Sequence, residues 1–388
     1  MERQGRTPEW VPRKGGGTYA TTVRDGVEGG HDGMPGDANE QGVPESGGAR
    51  RRMLSIEEYV EGVRSGDRVI LGRAITLIES HAPAHVSLAR QVLTQLLPST
   101  GRSLRVGITG VPGAGKSTFI EALGGYLTAS GHRVAVLAID PSSSVTRGSV
   151  LGDKTRMERL ARDPQCFIRP SPSGGTLGGV SRKTRESILV CEAAGFDVIL
   201  VETVGVGQSE IVVRSMVDFF LLLLITGAGD ELQGIKKGVM ELADTVVINK
   251  ADGENRVRAE ALRADTARAL HYFAPATEGW TSPVLTCSAL HGEGIAGVWN
   301  AAEDFRSSAT QRGVLQQRRN LQMLDWMHSM IDERLRSHFS ADPDVQQMLP
   351  DIERAVQAGS ITVADAAEQL LSTYERRING HPHDADAH

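Results

Sequence analysis

The stretch that most constrains this chain is Gly110-Val111-Pro112-Gly113-Ala114-Gly115-Lys116-Ser117-Thr118. It reads G-x-x-x-x-G-K-[ST]. An apolar run, Leu104 to Thr109, precedes it and predicts a strand, and the residues from Thr118 to Leu127 predict a helix. Strand, glycine-rich loop and helix in that order make a phosphate cradle. The glycines let the backbone turn tightly enough to aim successive N–H groups at phosphate oxygens. The helix N-terminus adds roughly half a positive charge. Lys116 can reach the terminal phosphates, and the Ser117 hydroxyl can ligate Mg²⁺.

The rest of the chain reads as a sheet built around that loop. Apolar runs at Arg133–Asp140, Phe196–Glu202, Val217–Ile225, Thr245–Asn249 and Val284–Cys287 predict buried strands. Helical stretches fall between them, including Ser181–Ala194 and Arg256–Phe273. This alternation predicts an α/β fold, a mostly parallel sheet covered by helices on both faces. Ligands of such sheets bind beyond the carboxyl ends of the strands. The glycine loop and several acids sit at those ends.

Flanking segments divide the chain further. Residues 1–52 are rich in Gly, Asp, Glu and Pro, and read as a disordered tail. Residues 53–100 read as helices: Ser55-Ile-Glu-Glu58 fits a capping box, Asp67 can cap a second helix through Glu79, and Pro83 interrupts before a third, from about Val86 to Leu97. Residues 101–312 form the nucleotide domain. Residues 313–380 turn purely helical, with Leu321, Leu324, Met327, Ile331 and Leu335 at helical spacing, and Thr362–Asp365 opening the last helix. A helical pair here suits a dimerisation arm. The His-containing end, 381–388, reads as a frayed tail.

Composition closes off several classes. A net charge of −6 and 4% aromatic residues give no general attraction to nucleic acid and no base-stacking surface. The three cysteines, Cys166, Cys191 and Cys287, show no metal-binding spacing and fit a reducing cytoplasm. No secretory or transit segment is visible. Val217–Ile225, interrupted by Asp218, is far shorter than the roughly 20 residues a membrane helix needs.

Two further motifs narrow the nucleotide. Asn249-Lys250-Ala251-Asp252 reads N-K-x-D after a strand. An Asp there accepts from both N1–H and the exocyclic amine of guanine, neither of which adenine offers. Ser288-Ala289-Leu290, after the next strand, falls where a second base loop belongs, with a backbone N–H for guanine O6. Asp140, Asp153 and Glu202 can surround a Mg²⁺ shared with Ser117 and the phosphates. Glu202-Thr-Val-Gly205 ends a strand, and the Gly205 N–H can sense the γ-phosphate. Lys116, Glu202 and Asp153 are the residues nearest the chemistry. No strong general base stands out; Gln208 lies close by without an assigned role.

Longer strings carry a resemblance. Asp140-Pro-Ser-Ser, Leu151–Met157, Ile168–Pro172, Gly175–Gly179, Glu202–Glu210 and Gly227–Lys237 resemble the MeaB/ArgK-type P-loop GTPases, from about Ser55 to the C-terminal helices. The resemblance implies GTP/GDP and Mg²⁺ as ligands and a homodimer built by the C-terminal arm. It also implies a chaperone of a B12-dependent acyl-CoA mutase, methylmalonyl-CoA mutase foremost. GTP binding and hydrolysis would gate delivery of adenosylcobalamin and removal of the inactivated cofactor. In that reading Asp153 lies in a first switch, Gly205–Glu210 in a second, and Gly227–Lys237 in a third segment facing the mutase. Arg147 and Ile225-Thr226 depart from the family pattern, and so do the first fifty residues. A metal-insertion GTPase of the same fold is the alternative.

Overall fold

A computed structural model describes residues 52–80, 82–139, 157–170, 177–203, 209–227 and 237–380. Seven parallel strands form its sheet, in the order β3-β2-β4-β1-β5-β6-β7. They are β1 Leu104–Gly110, β2 Val134–Ile139, β3 Cys166–Arg169, β4 Val198–Thr203, β5 Phe219–Leu224, β6 Thr245–Ile248 and β7 Val284–Thr286. β2, β4, β5 and β6 are buried at every position, so they read as continuous apolar runs without alternation.

The helices are α1 Ile56–Arg64, α2 Arg68–Glu79, α3 Pro83–Leu96, α4 Lys116–Ala129, α5 Glu158–Arg162, α6 Leu177–Ala193 and α7 Ser209–Arg214. Beyond them lie α8 Lys237–Met240, α9 Arg256–Leu270, α10 Ile295–Gln311, α11 Val314–Ala341, α12 Pro343–Gln357 and α13 Val363–Gly380. One face of the sheet packs on α1, α2, α3, α6 and α7 through Leu71, Ile75, Leu96, Ile199 and Phe220. The other face packs on α4 and α10 through Phe119, Leu123, Ile108, Phe219 and Phe305.

β1 is the hinge of this order. It pairs with β4 on one side and β5 on the other, while the chain leaves it through α4 toward β2. The direction of winding reverses beside β1, and crevices at such reversals bind ligands in open parallel sheets. The register sets Ile108 beside Glu202 and Gly110 beside Leu223.

Local sequence signals act as read at most element ends. Ser55 Oγ accepts from Glu58 N–H at 3.2 Å while Ser55 N–H donates to Glu58 at 2.7 Å, a complete capping box worth about 1 kcal/mol. Asp67 caps α2 through Val69 and Ile70 N–H. Asp365 N–H donates to Thr362 Oγ1 at 3.1 Å. Three expectations differ. Pro83 does not interrupt before α3; it is the first residue of α3, where its missing N–H costs nothing. β3 was not expected, because Cys166-Phe-Ile is too short a run to stand out before Arg169-Pro170. The C-terminal region holds three helices, not a pair, divided at Asp342, which caps α12 through Asp344 and Val345 N–H.

The base of α11 is bolted to the amino ends of the strands. Asp218 and Asp244 precede β5 and β6 and are fully buried. Arg319 forks onto Asp218, with Nε donating to Oδ1 at 2.7 Å, and also reaches the Gly101 and Ser103 carbonyls. Arg318 serves Asp244 at 3.4 Å and the Asp218 carbonyl. Removing one partner of such a pair strands a buried charge. Arg319→Ala should therefore cost about 3 kcal/mol, read as a lower denaturation midpoint at unchanged m-value. Arg319→Lys should fall between, since an ammonium lacks the fork. A loss below about 0.5 kcal/mol for Arg319→Ala would mean that solvent reaches Asp218.

Candidate nucleotide site

The glycine loop connects β1 to α4 at the carboxyl edge of the sheet. Gly115 takes φ +83°, in the left-handed region. A Cβ there would stand 2.9 Å from Asn249 Nδ2, so both conformation and space demand glycine. At Gly110 the demand is space alone, since a Cβ would meet the Leu223 carbonyl of β5 at 2.5 Å. Ala114 is buried, whereas Pro112, Gly113 and Thr118 are exposed and Val111 is half-buried.

Lys116 folds back over the loop. Its Nζ donates to the Gly110 carbonyl at 2.9 Å and to the Val111 carbonyl at 3.4 Å. Burial lowers its pKa, against the opposing pull of Glu202 and Glu210. An arriving phosphate offers this ammonium a charged acceptor in place of two neutral carbonyls. The direction is an affinity for anions that falls as the pH rises toward the lowered lysine pKa.

The Ser117 hydroxyl donates to Glu202 Oε1 at 3.1 Å. Glu202 is buried at the penultimate position of β4, and its neighbour Thr203 donates from Oγ1 to Thr109 Oγ1 at 2.9 Å. Ser117 and Glu202 thus present two oxygens side by side, a donor set that fits Mg²⁺. Among the described residues no group of three or more His, Cys, Asp or Glu that could hold a metal is present. Asp140, Asp153 and Gly205 lie outside the described residues, as do Gln208 and most of the second and third switch strings.

The base side is organised by Asn249, which is almost fully buried just after β6. Its Nδ2 donates to the Ala114 carbonyl of the glycine loop at 2.8 Å. Its Oδ1 accepts from Ala289 N–H at 3.1 Å and from Cys287 Sγ at 3.4 Å. One amide therefore ties the phosphate loop to the second base loop. Ala289 N–H is used within the protein, so the expected contact to guanine O6 does not draw on that donor in this arrangement. Leu290 is exposed. Asp252 is half-buried, and Ser288 Oγ donates to its Oδ2, which fixes the carboxylate while leaving Oδ1 to a ligand.

Lys250 has φ +59°, the sole non-glycine residue with positive φ among the described residues. A cavity of about 690 Å³ opens between α4, α5 and the 289–292 loop, and no residue of the 249–252 turn lines it. Thr118, Ala289 and Leu290, predicted residues from two separate motifs, are among its lining residues. Its size falls in the range of ligand clefts. The three cysteines are buried. Burial pushes the Cys166 and Cys287 thiols up to about 12 and Cys191 higher still. Among the described residues none of them belongs to a group of three or more His, Cys, Asp or Glu that could hold a metal. Sequence reading missed Asn255, whose side chain holds the base turn; a lone Asn at a helix start gives no sign of that.

Comparison with known proteins agrees with this geometry. Residues 71–344 match the profile of the family described as "Methylmalonyl Co-A mutase-associated GTPase MeaB". "GTPase ArgK" of Escherichia coli K12 is 48% identical over 316 residues, covering 81% of this chain and 96% of that protein. "Methylmalonic aciduria type A homolog, mitochondrial" of Mus musculus is 45% identical over 332 residues, covering 83% of this chain and 80% of that protein. The crystal structure of a protein titled "LAO/AO transport system kinase" superposes with a TM-score of 0.68 at 40% identity, covering 84% of this chain and all of that one. With its phosphate loop, N-K-x-D turn and parallel sheet joined in one site, this chain belongs to the MeaB family of methylmalonyl-CoA mutase-associated GTPases.

Proposed function

We propose that this GTPase gates the handling of adenosylcobalamin by a B12-dependent acyl-CoA mutase, with methylmalonyl-CoA mutase the foremost candidate. GTP binding would license delivery of the cofactor, and hydrolysis would time release or removal of the inactivated form. The observation that carries the reading is the Ser117–Glu202 contact, at 3.1 Å. It joins the phosphate loop helix to the end of β4, where the chain passes directly into the Gly205–Glu210 string. Whatever nucleotide sits on Ser117 is thereby felt at the start of that string. The family description supports a mutase as the partner.

Within this reading the residues take distinct parts. The 110–118 loop and Lys116 hold the phosphates, and Asn249, Lys250 and Asp252, with the 288–290 loop, select guanine. Ser117 and Glu202 would hold Mg²⁺, with Asp140 and Asp153 contributing directly or through water. The bound ion supplies charge neutralisation on the β- and γ-phosphate oxygens. Lys116 steadies the transferred phosphoryl group. No described residue supplies a strong base, which fits slow hydrolysis until a partner orders the site. The metal-insertion alternative has less support, since among the described residues no group of three or more His, Cys, Asp or Glu could hold a metal. Among the described residues no helix is long and apolar enough to cross a membrane.

The arm completes the proposal. Leu321, Leu324, Met327, Ile331 and Leu335 of α11 are 47–59% exposed and lie along one side of the helix. An apolar stripe of this kind fits a second copy of the chain, and a homodimer is the reading it supports. Light scattering checks this part: Leu324→Glu should lower the mass from dimer to monomer, and a wild-type monomer would refute it.

Affinity capture with a non-hydrolysable GTP analogue tests the partner. The expected result is co-purification of a cobalamin-dependent acyl-CoA mutase, together with faster GTP turnover in its presence. Absence of every such mutase, or equal turnover with and without it, would refute the gating reading.

A further inference from the structure

The left-handed Lys250 stands in the middle of the guanine-reading turn, and something must hold it there. Left-handed backbone is unfavourable for a side chain such as lysine. Asn255 provides the clamp. Its Nδ2 donates to the Lys250 carbonyl at 2.6 Å. Its backbone N–H donates to the Asp252 carbonyl at 3.0 Å, closing the turn from the other side. Its Oδ1 accepts from the Thr226 hydroxyl, just beyond β5.

The position makes this use of the side chain informative. Asn255 sits at the N-cap of α9, where asparagine is among the best residues for capping. Yet it makes no side-chain cap bond to α9. Its amide is spent on the turn before it. Both ends of that amide are engaged, so its orientation is set by Thr226 and its reach by Lys250.

We propose that Asn255 is the positioning residue of guanine recognition: by gripping the Lys250 carbonyl it holds the left-handed turn that aims Asn249 at the phosphate loop and Asp252 at the base. The proposal rests on the guanine reading of Asp252. Without the clamp, Lys250 relaxes toward ordinary backbone angles. Asn249 and Asp252, on either side of it, then swing away from Ala114, Ala289 and Ser288.

A thermodynamic cycle isolates this role, because glycine tolerates positive φ without help. Binding of a fluorescent GDP analogue is measured for the full chain, Asn255→Ala, Lys250→Gly and the double variant. Asn255→Ala should weaken GDP binding about tenfold when Lys250 is present, through loss of the hydrogen bond that holds the turn. In the Lys250→Gly background the same change should cost less than about threefold, since no strain remains to be held. Thr226→Val should produce a smaller loss of the same sign. An equal loss in both backgrounds would overturn the proposal, because Asn255 would then act through α9 or overall stability. So would no loss in either. Failure of the wild-type chain to bind GDP would instead refute the guanine reading itself.

Discussion

The nucleotide end of this molecule depends on one buried amide. Asn249 donates to the Ala114 carbonyl and accepts from Ala289 N–H, and so joins loops that follow β1, β6 and β7. The loops after β6 and β7 are also joined by Ala251 N–H donating to the Cys287 carbonyl at 2.9 Å and by Ser288 Oγ donating to Asp252, but Asn249 is the residue that brings the glycine loop into the same set. A buried amide in a dry setting is strongly directional, and leaving either end unpaired is costly. The glycine at position 115 follows from the same contact, because any Cβ would occupy the space of Asn249 Nδ2. The motif residue usually thought of as a base reader is here first a structural staple.

The opposite edge of the sheet is held by charge. Asp218 and Asp244 sit at the amino ends of β5 and β6, buried, and Arg319 and Arg318 carry α11 onto them. Desolvation offsets much of the attraction in such pairs, so their main effect is to fix where α11 begins. Arg214, in the last turn of α7, approaches Asp244 at 3.5 Å and joins the same cluster. Gln322 adds a bond to the Val217 carbonyl at 2.9 Å. The short helix that follows the Glu202 string is thus anchored beside the root of the arm. The glycine loop sits at one edge of the sheet and the start of α11 at the other, with β4, α7 and β5 between them.

Much of this was legible in the sequence, for physical reasons. The strands are buried on both faces, so they appear as apolar runs, and the phosphate loop needs glycine at positions that no other residue fills. Ser55 and Asp67 cap helices through local bonds, which sequence spacing records directly. What stayed hidden depends on partners distant in the chain. Nothing near Arg319 announces Asp218, and nothing near Asn255 announces Lys250 in a left-handed turn. β3 escapes because its three apolar residues, Cys166-Phe-Ile, run straight into Arg169-Pro170. Pro83 has the look of a breaker in the sequence, though the first turn of a helix is where proline is at no disadvantage. The family strings carried the functional reading further than geometry alone, since several of their acids lie outside the described residues.

The central claim is that Asp252, held by Ser288, reads guanine in a site whose phosphate half is the 110–118 loop. Its most direct test is nucleotide preference in Asp252→Asn. Asparagine still accepts from N1–H but turns an N–H toward position 2, which suits the carbonyl of xanthine and opposes the amine of guanine. Calorimetric titration should show GDP affinity falling by at least about a hundredfold while XDP affinity rises. Unchanged preference for GDP over XDP in that variant would contradict the account.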